Sequence, residues 1–109
     1  MFRQDKWSFT GGLGTEYFFE IKKKSSTLPP SGGVYIFSYT HPRGHLAGFE
    51  VHPLYIGQTD NLETTLPAPP KLKCITDECW NCTYILLIDD EQARINCVHD
   101  LLKNIHPLC

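Results

Sequence analysis

Two tyrosines stand beside glycines in strand-like stretches close together in the chain. Tyr35 lies in GGVYIF, residues 32–37, and Tyr55 in PLYIGQTDNL, residues 53–62. Phenols on paired strands either pack as half-buried aromatics or present two hydroxyls to one ligand. Cys74, Cys79 and Cys82 fall in a C-x4-C-x2-C spacing, with Cys97, His99 and Cys109 further on. Thiolates and imidazole suit zinc. A single C-x2-C without a second matched pair is a weak zinc pattern, and such a cysteine serves equally as a small buried hydrophobe. His41, His45 and His52 share one loop-like stretch. His-x3-His brings both rings to one face only on a helix, and Pro42 and Gly44 interrupt one here, so surface histidines are expected. Lys22, Lys23 and Lys24 run together, and Arg43, Lys71 and Lys73 lie in loop-like segments. A solvated face is the ordinary reading of such a run; Lys22, Lys23, Lys24 and Arg43 are the candidates for holding phosphates.

Composition sets the frame in which these groups act. A chain of 109 residues forms one domain with a single modest core. The hydrophobic share of 41% and aromatic share of 12% suit an ordinary globular protein. The formal charge is −2 and the pI about 6.2, far from the basic balance of a protein that holds DNA mainly by charge. The N-terminus lacks a signal-peptide core and no apolar run approaches the ~18 residues of a membrane span. No membrane partner is expected. Five cysteines, an odd count, point to reduced thiols and a cytoplasmic setting.

The elements that must position these groups follow from periodicity. Residues 7–9 and 17–21 are candidate short strands around the turn Gly11, Gly12, Gly14. Val34 to Tyr39 alternates, placing Tyr35, Phe37 and Tyr39 on one face and Val34, Ile36 and Ser38 on the other. A strand follows at 54–57. Thr59 or Asp60 caps a short helix that Pro67 must stop near Leu66. Thr83 to Ile88 is a continuous apolar run, the signature of a buried central strand. Asp89 or Asp90 caps a helix over roughly 91–105, ended by Pro107. The predicted class is α+β: a small α/β sandwich with a three-stranded central sheet flanked by helices and an N-terminal extra strand or hairpin. Residues 1–27 form the N-terminal extension and 28–109 the main domain, in one compact unit.

These pieces together resemble the GIY-YIG nuclease family, from about residue 28 to residue 109. The first signature reads Gly33-Val34-Tyr35, the second Tyr55-Ile56-Gly57, extended by Gln58-Thr59-Asp60-Asn61-Leu62. In the tail, Glu91, Ala93-Arg94, Asp100-Leu101-Leu102 and Pro107 recur at the family's intervals. The loop between the signatures is longer than in many members.

The resemblance implies metal-dependent phosphodiester chemistry. The two tyrosines would flank the scissile phosphate, an arginine on the first helix would neutralise developing charge, and a glutamate on the last helix would hold Mg or Mn. Tyr35 and Tyr55 match that pattern, and Gln58 stands where a basic or polar residue often follows the glycine. The arginine's place holds Thr65 and the glutamate's place Val98. The proline run 67–70 also shortens the first helix. Val98 shares a stripe with Arg94, Leu101, Leu102 and Ile105, whereas Asp100 is turned about 200° and His99 about 100° from it. Tyr35, Tyr55, Gln58, Thr65 and Val98 therefore read as a vestigial site. The expectation is a catalytically inactive nuclease-like protein, without cofactor, that binds a protein or DNA. The alternatives are an active metal-dependent DNA endonuclease with substitute residues and a zinc-stabilised interaction module using Cys74, Cys79 and Cys82.

Overall fold

A computed structural model describes residues 6–24, 26–42 and 48–109. Five strands, β1 (Lys6–Thr10), β2 (Glu16–Lys23), β3 (Gly33–Pro42), β4 (Phe49–Thr59) and β5 (Cys82–Leu87), form one sheet in the order β1-β2-β5-β3-β4. Every pairing is antiparallel. The described residues also form three helices: α1 (Leu62–Thr65), α2 (Leu72–Asp77) and α3 (Glu91–Leu102).

The expected three-stranded sheet flanked by helices is thus corrected to five antiparallel strands with three short helices. The reason lies in the alternation of the N-terminal hairpin. Phe9 and Phe19 are buried, and Trp7, Tyr17 and Ile21 pack beside them, in one cluster with Tyr84 of β5 and with Cys97 and Leu101 of α3. A hairpin with such an apolar face buries it by extending the sheet, so β2 pairs with β5, Ile21 opposite Tyr84. β5 is then central, with β2 on one side and β3 on the other, as its continuous apolar run requires.

The sheet's two faces carry two cores. One gathers Val34, Ile36, Ile56 and Tyr84 beneath α3. The other gathers Tyr35, Phe37, Leu54 and Ile85 with Leu28, with Leu62 of α1 and Ile75 of α2, and with Trp80. Period-two alternation along β3 divides these residues between the faces. The second face is roofed over β3, β5 and the neighbouring part of β4, and not over β2. Phe18 of β2, on the same face as Glu20 and Ile85, stays 60% exposed.

Local chemistry sets the helix ends. Asn61, not Thr59 or Asp60, caps α1 by accepting from the Thr64 amide at 3.3 Å. Asp90 caps α3 by accepting from the Ala93 amide at 2.8 Å. α2 was not anticipated. It begins five residues after Pro67, behind Lys71 at φ 58°, and Ile75 anchors it in the second core. The chain's end lies along β4: the amides of Leu108 and Cys109 donate to the carbonyls of Pro53 and Leu54 at 3.4 and 2.7 Å. Pro53 is tolerated in β4 because this is an edge strand. The pairing also shifts here, Phe37 opposing Tyr55 and Ser38 opposing Pro53, which leaves Leu54 as the extra residue of a bulge.

Candidate functional site

Tyr35 and Tyr55 lie on one sheet face, on neighbouring strands, with ring centroids 6.2 Å apart. Phe37 completes the group, 5.1 Å from the Tyr35 ring and 6.4 Å from the Tyr55 ring. Tyr35 is only 2% exposed. Its ring crosses the backbone of Gly57, its cross-strand partner. A Cβ on Gly57 would stand 2.5 Å from the Tyr35 hydroxyl and 2.7 Å from Cζ. The glycine of the second motif is therefore the space that the tyrosine of the first one fills. Burial, with the neighbouring Tyr55 phenol second, pushes the Tyr35 pKa up to about 12. A phenol so held keeps its proton at neutral pH and is a poor base.

A cavity of about 310 Å³ opens at the β4 edge beside these rings, lined by Tyr35, Tyr55, Gly57, Gln58, Val98 and His99 among others. Thr65 is not part of that lining; its hydroxyl pairs with Thr59 at 2.6 Å, at the end of α1. The set Tyr35, Tyr55, Gln58 and Val98 is brought together, and Thr65 is left apart.

The helix that supplies Val98 is rotated from its expected setting. Arg94, Cys97, Asp100 and Leu101 are the buried residues of α3, whereas Val98 is half-buried and Leu102 is 39% exposed. The sequence stripe through 94, 98, 101 and 102 placed the inward face about one position too far along. His99, expected to be turned away, reaches the cavity. Asp100, expected to point away from the site, is not in that lining; it is buried and closes the β1–β2 turn. It accepts from the Leu13 amide at 3.0 Å and from the Tyr17 hydroxyl at 2.7 Å.

Arg94 is outside the lining but is bonded to one of its members, Gln58. Arg94 is 3% exposed. Its Nε donates to Gln58 Oε1 at 2.9 Å, and its Nη1 donates to the Ile88 and Asp89 carbonyls at 3.1 and 2.7 Å. The guanidinium thus ties the start of α3 to β4, and Gln58 is spent on it. No lysine, arginine or carboxylate occurs among the described residues that line the cavity.

The lysine run divides. Lys22 pairs with Glu20 at 3.6 Å. Lys23 and Lys24 line a separate cavity of about 390 Å³ with Leu28, Leu66 and Trp80, and Lys24 Nζ sits 4.9 Å from the Trp80 ring centroid. Arg43 lies outside the described residues.

The cysteines do not converge. Cys74 is joined to Cys109 in a disulfide, Cα atoms 6.0 Å apart, which corrects the expectation of five reduced thiols. Cys79 is exposed and Cys82 is buried in the core beneath α3, on the sheet face opposite the disulfide. Burial pushes the Cys82 thiol pKa up and that of Cys97 up to about 11, the setting of inert core thiols. The disulfide clips the tail that lies along β4 to α2.

One constellation escaped the sequence reading. His41 and His52 lie on β3 and β4 rather than in a loop, and Glu50 sits opposite His41 in the register. Their ligand atoms lie within 4.8 Å of one another, the sole such trio of His, Cys, Asp or Glu among the described residues. The available signal was alternation: Glu50 and His52 are two apart and share a strand face. His45 lies outside the described residues. Among the described residues no helix is long and apolar enough to cross a membrane. Compared with family models, with curated proteins and with solved structures, the chain finds no match.

Proposed function

We propose that this protein works by binding rather than by cutting, as a non-catalytic relative of the GIY-YIG nucleases whose ligand is a protein or a nucleic-acid strand. One observation carries the reading. The cavity beside Tyr35 and Tyr55 has no cation and no carboxylate among its described lining residues, and burial raises the Tyr35 pKa to about 12. Phosphodiester hydrolysis needs charge stabilisation at the phosphorane and a hard ligand for a hard metal. The tyrosines serve packing instead, as the fit of Tyr35 over Gly57 supports.

Two surfaces support a binding role. Phe18 and Leu87, 60% and 48% exposed, are apolar side chains on the unroofed part of the sheet, which favours a protein partner. Lys23 and Lys24 beside Trp80 favour a phosphate-bearing strand. The net charge of −2 gives little counterion-release drive, so the nucleic-acid reading requires weak, salt-sensitive binding.

The test has two arms. Incubation with single- and double-stranded DNA in Mg or Mn is expected to give no cleavage above background. Metal-dependent cleavage that Tyr55→Phe abolishes overturns the reading. A DNA-shift titration at two salt concentrations, beside a pull-down, separates the ligands. Lys23→Glu with Lys24→Glu weakens DNA binding if the lysine cavity is the contact, and Phe18→Asp weakens partner capture if the open face is.

A further inference from the structure

We propose that His41, Glu50 and His52 form a binding site for a divalent transition-metal ion, with zinc the best match. It lies at the opposite end of β3 and β4 from the tyrosines and rests on none of the nuclease reasoning. The register places His41 across from Glu50, and His52 across from Tyr39, so all three side chains leave the same sheet face. His41 Nε2 is 3.1 Å from His52 Nε2 and 3.3 Å from Glu50 Oε2. Two ligands about 2.0–2.1 Å from a tetrahedral zinc lie about 3.3 Å apart. Both distances are those of ligands around one ion.

The tautomer points the same way. His41 Nδ1 lies 2.8 Å from the Pro42 carbonyl. A carbonyl only accepts, so Nδ1 carries the ring proton and neutral His41 presents the Nε2 lone pair to the cluster. Metal-bound histidines are oriented in this way, the remote N–H given to a carbonyl and the near nitrogen left to the ion. The Nε2 lone pair then faces a second imidazole nitrogen and a carboxylate. A proton on Nε2 satisfies one of these two neighbours; a divalent ion satisfies all three groups at once.

The rings are also held in place. Tyr39 packs 5.2 Å from the His41 ring and 5.9 Å from the His52 ring, and the two imidazoles stack at 5.2 Å with an interplanar angle of 14°. The His41 and Glu50 side chains are 32% and 58% exposed, so an ion enters from solvent and keeps water as its fourth ligand. Two imidazoles and one carboxylate suit zinc and its neighbours, and disfavour magnesium, which prefers an all-oxygen shell.

Calorimetric titration of Zn²⁺ into the chelator-stripped protein near neutral pH tests the site. One equivalent is expected to bind, with the His41 and His52 ring resonances shifting together, and excess Mg²⁺ should not compete. Glu50→Gln and His52→Gln should each weaken zinc by at least the ~10–100-fold that losing an outer-sphere partner costs. Lack of saturable one-to-one binding overturns the proposal. So does affinity that survives either substitution, or that falls only when Cys79 is alkylated. The resonance shifts are read on the unmodified protein, so the outcome stands even if a variant fails to fold.

Discussion

β3 and β4 carry two clusters on the same sheet face, six residues apart on β3 and three to five on β4, and their fates are opposite. At one end Tyr35 and Tyr55 lie against Phe37, roofed by residues of α1, α2 and Leu28. At the other, His41, Glu50 and His52 stand in water with Tyr39 between the two groups. The first cluster carries the residue types of the motif that the sequence resembles, yet burial moves its phenol pKa further from neutrality and its cavity has no charged residue in its lining. The second matched no motif, yet it keeps lone pairs exposed and convergent. Residue type proposes chemistry, and the roof decides it.

The difference is sharpest under truncation. Tyr35→Ala should destabilise by about 3–5 kcal/mol, as deletion of a buried aromatic does, whereas His52→Ala should stay within about 0.5 kcal/mol in metal-free buffer. Chemical denaturation measures both. Equal effects would mean that the tyrosine end is not a packing site.

The roof itself comes next. The Cys74–Cys109 bridge closes a loop of sequence separation 35, for which chain entropy gives about 3–4 kcal/mol. Cys109→Ser should lower stability by about that amount. It should expose the tyrosine end to solvent while leaving zinc binding at the histidine end unchanged. Loss of both together would show that the ends are not independent.

Gly57→Ala should cost about 1–3 kcal/mol, because the new methyl meets the Tyr35 hydroxyl. Adding Tyr35→Phe removes that oxygen and should recover part of the loss, a coupling read from a double-mutant cycle. Simple additivity would show that the ring does not lie over the glycine.

The smallest effects concern pH. The Tyr17 hydroxyl and the Leu13 amide hold the Asp100 pKa below its ordinary 3.8. Its contribution is therefore present above that value and is lost as pH falls through the lower folded one. Tyr17 moves the other way: the hydrogen bond to Asp100 and then burial raise it from 10.0 to about 12. Its contribution is complete below pH 10 and is lost as pH rises towards 12. Denaturation midpoints across pH should fall at both extremes, and Asp100→Asn should flatten the acid limb. By the same measure, Tyr35 should ionise only at about pH 12 in an ultraviolet or NMR titration.

The sequence by itself determined what lies within an element. Alternation from Val34 to Tyr39 assigned each residue to a face, the apolar run through 83–88 marked the central strand, and the pair Asp89 and Asp90 marked the start of α3. The glycines at 11, 12 and 14 marked the first hairpin. Periods of two and 3.6 are properties of the local backbone, so local residues reveal them. Only the tertiary structure decided which faces meet. It paired β2 with β5 instead of leaving three strands, and turned α3 so that Cys97 and Leu101 point inward and Val98 lies at the margin. It also kept Thr65 from the tyrosine cavity, joined Cys74 to Cys109, and set Glu50 beside two histidines. Each of these depends on how separate elements meet. Their free energy comes from burial and pairing across the whole sheet, which no local window of sequence contains.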